Sequence, residues 1–113
     1  MTVAELAASL DAGIFSGDGE ALSRSVTGGY VGDLLSWVMG RAQADGAWIT
    51  IMQNLNVAAV AVLADLSCVI LAEGVVPDQA LREKAQAQNV ALLGVQASAF
   101  STAARLDGLL RAR

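Results

Sequence analysis

The hydrophobic pattern changes its period several times along the chain, and each change predicts an element. Val3, Leu6, Ala7 and Leu10 recur at helical spacing behind Thr2, which has Glu5 three residues on, so the first helix starts with a capping box and runs to about Asp11. Gly13-Ile14-Phe15 reads as a short strand, Ser16 to Gly19 as a turn, and Arg24-Ser25-Val26 as another brief strand. Thr27-Gly28-Gly29-Tyr30 follows as a loop. Leu34, Leu35, Val38 and Met39 then mark an apolar stripe, with Trp37 at its edge, on an amphipathic helix from Val31 to about Gln43.

Beyond Ala44-Asp45-Gly46 the pattern alternates regularly. Trp48 to Ile51 predicts a strand, Gln53 to Asn56 a polar turn, and the Ala- and Val-rich stretch to Leu66 a helix apolar nearly all round, which calls for cover on both sides. Cys68 to Ala72 is a buried strand. Pro77-Asp78 opens a polar helix from Gln79 to Gln88 ending at Asn89, Val90 to Val95 is a strand, and Ser98 caps a final helix to about Arg111. Strands and helices joined by short connections predict an α/β fold, a mostly parallel β-sheet with flanking helices, in a single domain over residues 1–113.

Composition sharpens this picture. Apolar residues make up 55% and charged ones 16%, against roughly 45–50% and about 25% in an average soluble domain. The surplus predicts a subunit interface, and the Trp37 helix or the Ala-rich helix is the expected contact of a homodimer. The stretch from Val57 to Val76 is long enough to span a bilayer, but Asp65 and Ser67 interrupt it and no Lys or Arg lies between Arg41 and Arg82. No membrane association is expected. Met1 to Glu5 lacks the basic start of a signal peptide, so the expected location is cytoplasmic. A net charge of −4 argues against nucleic acid, and one cysteine with no histidine argues against a metal site.

Candidate chemistry gathers in three loops. Gly28 and Gly29, behind Thr27 and ahead of a helix, either let backbone N–H groups approach an anion or form a tight turn at positive φ. Asp33 falls in the first turn of that helix, where the dipole favours a carboxylate with or without a ligand. Gln53, Asn54 and Asn56 follow a strand's C-terminal end, where open parallel sheets collect ligands, though an Asn there also caps the helix. Glu73 and Gly74 end the next strand on the same edge. No catalytic residues are assigned, because no serine or cysteine has a base to activate it and the carboxylates show no paired spacing. No cofactor is expected.

The run Leu22-Ser23-Arg24-Ser25-Val26-Thr27-Gly28-Gly29-Tyr30-Val31-Gly32-Asp33-Leu34-Leu35-Ser36, then Trp48-Ile49-Thr50, the Asn54 to Leu66 helix and Glu73-Gly74-Val75-Val76-Pro77-Asp78, resembles a DRTGG domain. Ser23 departs from that pattern, standing where the family usually has an Asp. The resemblance implies a fold like the N-terminal domain of HPr kinase/phosphorylase. It also implies a non-catalytic bacterial module, found attached to phosphotransacetylases and CBS-domain pyrophosphatases or standing alone near iron-only hydrogenase genes. Such a module dimerises and senses a nucleotide or other phosphate-bearing small molecule. The alternative is a structural adaptor that binds a partner protein and no small molecule.

Overall fold

The computed structural model describes residues 1–112. Eleven elements follow in order: α1 (Val3–Ser9), β1 (Gly13–Ser16), α2 (Glu20–Ser23), β2 (Gly28–Val31), α3 (Leu35–Arg41), β3 (Gly46–Thr50), α4 (Asn56–Leu63), β4 (Cys68–Leu71), α5 (Gln79–Ala87), β5 (Leu92–Gly94) and α6 (Ala99–Arg111). The strands form one sheet in the order β1-β5-β4-β3-β2. Three of its pairings are parallel, and β1 joins β5 antiparallel. This is the α/β, mostly parallel architecture that the alternating pattern predicts.

Two apolar layers sandwich the sheet. On one face Val38 of α3, Val57 and Ala61 of α4, and Leu81 and Ala85 of α5 pack on Trp48, Val69, Leu71 and Leu92. On the other, Val3, Leu6 and Leu10 from the α1 region and Leu106 of α6 pack on Ile49, Ile70 and Leu93. Strands β3 and β4 are buried on both faces, which is why they read as continuous apolar runs with no alternation. The capping box at Thr2 and Glu5 forms, and Asp78 and Ser98 cap α5 and α6 through their side chains.

Four expectations are corrected. Arg24 to Val26 is not a strand: α2 ends at Ser23, Val26 donates to the Met1 carbonyl and Val3 donates to that of Arg24, so this segment latches onto the start of α1 and misses the sheet. Thr27 to Tyr30 is not a loop, because Gly28–Val31 forms edge strand β2, paired in register with Gly46–Ile49 of β3. Glycine is depleted from strands, and here tertiary pairing overrides that preference. Neither Gly28 nor Gly29 adopts a positive φ; Gly17, Gly19 and Gly74 do. Helix α3 begins at Leu35, four residues later than the stripe suggests.

The fourth correction concerns α4, which was expected to be covered all round. Val57, Ala58, Val60 and Ala61 are buried, but its opposite stripe is open: Leu63 is 72% exposed, and Leu55 and Val62 each 46%. Nearby on α3, Leu34 and Trp37 are half exposed. Among the described residues, no helix is long and apolar enough to cross a membrane.

Candidate functional site

The parallel strands define two rims. Their C-terminal ends lead into segments 32–34, 51–55 and 72–78, and β5 leads into 95–98; the antiparallel β1 brings Asp11 and Ala12 to this same rim. The N-terminal ends meet residues 24–27, 42–45 and 64–67 at the opposite rim. The predicted site residues divide between them. Asp33, Gln53, Asn54, Asn56, Glu73 and Gly74 share the C-terminal rim, whereas Thr27 and Gly28 lie at the other end of the sheet, with Gly29 one residue further along β2. The two groups are separated by the length of the sheet. The order β2-β3-β4-β5 also progresses in one direction, so these strands offer no reversal point of the kind that opens a ligand crevice.

At the N-terminal rim the roles are structural. The Arg24 guanidinium donates to the Leu66 and Asp65 carbonyls and to the carboxylates of Asp45 (2.8 Å) and Asp65 (3.1 Å), tying together the chain before β3 and the turn before β4. Thr27 donates its N–H to the Asp45 carbonyl at 2.9 Å. Gly29 gives Leu106 of α6 room to lie on the strand, since a Cβ there would meet Leu106 Cδ2 at 2.7 Å and push that side chain aside. Thus the Arg-Thr-Gly-Gly residues lash loops together and let a helix lie close on the edge strand. Ser23 donates its hydroxyl to the Gly19 carbonyl at 3.0 Å within α2.

At the C-terminal rim most of the chosen polar groups hold their own loops. Asp33 does not sit in the first turn of α3; its carboxylate accepts from the buried Thr50 hydroxyl at 2.6 Å and from Ile51 N–H at 3.2 Å, finishing β3. Gln53 donates to the Val76 carbonyl at 2.6 Å, and Asn54 accepts from Asn56 N–H at 3.0 Å, turning the chain into α4. Glu73 and Gly74 have φ of 63° and 73° and form a tight left-handed turn closed by Val75 N–H to the Ala72 carbonyl. From it the Glu73 carboxylate reaches Ala99 N–H at 3.1 Å, so α6 already holds an anion at its positive end. These loops carry no Lys or Arg.

Two rim side chains that the sequence pattern did not single out make no hydrogen bond or ion pair among the described residues: Asp11 and Gln96. Only their convergence at one sheet edge signals them, and that follows once β1 is known to run antiparallel to β5.

Cys68 is fully buried in β4, and burial pushes its thiol up to about 12, the positive charge of Arg24 opposing this more weakly. A thiol held neutral is a poor nucleophile. Its alkylation by iodoacetamide at pH 8 is expected to be negligible in the native protein and rapid in denaturant. Because the folded value lies above the unfolded one, the folded state is favoured below pH 9 and loses that advantage as pH rises toward 12. Fast labelling of the native protein would show that β4 opens. Among the described residues, no cluster of three His, Cys, Asp or Glu side chains is placed to hold a metal.

A DRTGG domain family model matches residues 5–109. The chain belongs to the DRTGG domain family. Among solved structures this DRTGG domain is similar to the CBS and DRTGG domains of the regulatory region of Clostridium perfringens pyrophosphatase, solved in complex with its activator diadenosine tetraphosphate. The TM-score is 0.76 at 13% identity, over 93% of this chain and 45% of that one. The likeness is one of fold, and the chain spans less than half the length of that region. No curated protein matches the DRTGG domain described here.

Proposed function

We propose that this DRTGG domain is a non-catalytic regulatory module of the cytoplasm that works as a homodimer and binds a small ligand at the C-terminal rim of its sheet. The observation that carries the reading is the uncovered face of α4. Leu55, Ala59, Val62 and Leu63 follow one another at helical spacing with Lys84 of α5 at their border, and Leu34 and Trp37, at the start of α3 and on it, extend the apolar area. An isologous interface brings a patch against its own copy, so it favours an uncharged apolar stripe and disfavours a single-signed one. A second copy is therefore the occupant that fits. The regulatory part is supported by the family and by the pyrophosphatase regulatory region that shares the fold and was solved with a nucleotide activator.

Light scattering after size exclusion tests the dimer. The wild-type chain is expected at twice its chain mass at tens of micromolar, and Val62→Glu combined with Leu63→Glu at one chain mass with an unchanged circular dichroism spectrum. Both positions are already exposed, so the substitutions do not disturb the core. A monomeric wild type overturns the dimer.

One observation favours the adaptor reading. Asp33, Gln53, Asn54 and Glu73 are all engaged in shaping their own loops, so these four need no ligand to account for them. The two readings part on whether anything occupies the rim.

A further inference from the structure

Ligand binding at the C-terminal rim requires a cavity and unengaged polar groups, and one place has both. A depression of about 200 Å³ opens at the β1–β5 edge, lined by Asp11, Gly13, Phe15, Gly74, Gly94 and Gln96 among others. Gly13 and Gly94 are register partners in the antiparallel β1–β5 ladder, and the chain just before β1 and just after β5 brings Asp11 and Gln96 into the lining of this one depression. These are the two rim side chains left without partners, and both face the same cavity.

Two left-handed positions shape the mouth: Asp11 (φ 53°) terminates α1, with Ala12 N–H returning to the Ala7 carbonyl, and Gly74 (φ 73°) sits in the turn after β4. The Phe15 ring forms one wall, lying so close over Gly94 that a Cβ there would come within 2.3 Å of it, and the Arg82 guanidinium sits 5.1 Å from the ring centroid.

We infer that this cavity is a purine-base site, in which the Asp11 carboxylate and the Gln96 amide read the hydrogen-bonding edge of the base. The inference rests on the ligand-binding part of the function proposed above and gives it a location. Three features select the ligand. The lining carries one carboxylate and no cation, so it disfavours a phosphate and favours a group that donates hydrogen bonds. The volume lies below the roughly 300–1,000 Å³ of sites that enclose a drug-sized ligand, and it suits one bicyclic ring with the sugar and phosphates outside. The apolar side chains of Phe15 and Val75 lie beside the polar pair, as a planar heterocycle requires. Guanine presents two adjacent N–H donors to a carboxylate and adenine presents one, so guanosine is expected to bind more tightly.

Amide-resolved NMR titration of the full chain with guanosine, adenosine and diadenosine tetraphosphate tests this. The expected result is perturbation of the Gly13, Gly74 and Gly94 resonances by guanosine and, more weakly, by adenosine. Asp11→Asn, which tolerates the same left-handed backbone, should weaken guanosine at least tenfold with the rest of the spectrum intact, and Gln96→Ala should weaken it less. Perturbation confined to residues away from this cavity, or Asp11→Asn binding as wild type does, overturns the purine site and leaves a ligand elsewhere on the domain. No perturbation by any of the three overturns the purine site and, with it, the nucleotide ligand.

Discussion

Trp48→Ala is expected to lower the melting temperature by about 15–30 °C, whereas Trp37→Ala moves it by no more than a few degrees. Trp48 is fully buried at the centre of β3, and its indole N–H donates to the Gly32 carbonyl at 2.8 Å. Removing a buried aromatic costs roughly 3–5 kcal/mol, and 1 kcal/mol shifts a small domain by about 4–8 °C. The truncation would also strip the Gly32 carbonyl of its donor, leaving the bond from Gly32 N–H to the Ile49 carbonyl to hold the chain that leads from β2 into α3. Trp37 is half exposed and stacks under the Arg41 guanidinium at 3.7 Å from the ring centroid, an arrangement worth about 0.5–1 kcal/mol at an exposed site. Differential scanning calorimetry on the dissociated Val62→Glu/Leu63→Glu background keeps any dimer contribution out of the comparison. Equal losses for the two tryptophans would contradict the placement of β3.

Gly17→Ala is the second large effect, a loss of roughly 2–4 kcal/mol. Gly17 has φ +98°, and a Cβ there would lie 2.8 Å from Ala91 Cα, which is backbone and cannot rotate aside. The left-handed region costs an alanine roughly 1–2 kcal/mol, and overpacking adds about 1–3 kcal/mol. The residues around it show why the backbone comes so close. Ser16 donates its hydroxyl to the Val90 carbonyl at 2.8 Å, Gly17 N–H donates to the Gln86 side chain, and Asp18 N–H donates to that of Asn89. Three consecutive residues are thus stitched to the corner between α5 and β5. Urea unfolding should show a lower midpoint with an unchanged slope, and a change below about 0.5 kcal/mol would contradict the close approach.

The elements that the sequence announces are those with a strong period or a side-chain cap. The Thr2 to Glu5 box, the Asp78 and Ser98 caps and the apolar runs at β3 and β4 all carry their signal locally. Strand β2 does not, because Gly29 is set by Leu106 on α6, a partner far away in the chain. The face of α4 was misjudged for a related reason: the sequence shows that the helix is apolar all round but not that one stripe lacks a neighbour. Likewise the candidate site residues stand out in the sequence by type and loop position alone. Type alone does not tell a carboxylate that fastens β3, as Asp33 does, from one with nothing to hold, as Asp11 has. That distinction comes from the antiparallel seam, which no local pattern records.

The seam between β1 and β5 also orders events in time. Strands β2 to β5 are laid down in the sheet in the sequence in which they emerge, each parallel neighbour separated by one helix, so that part can assemble progressively during synthesis. Strand β1 must wait, since Gly13 has no partner until Gly94 is available. Until then the first turns of the chain are held by α1, which latches to residues 24–26 and packs on Ile49 and Ile70. The β1–β5 edge is therefore the last to be sealed, and a ligand that bridges Asp11 and Gln96 would fasten it.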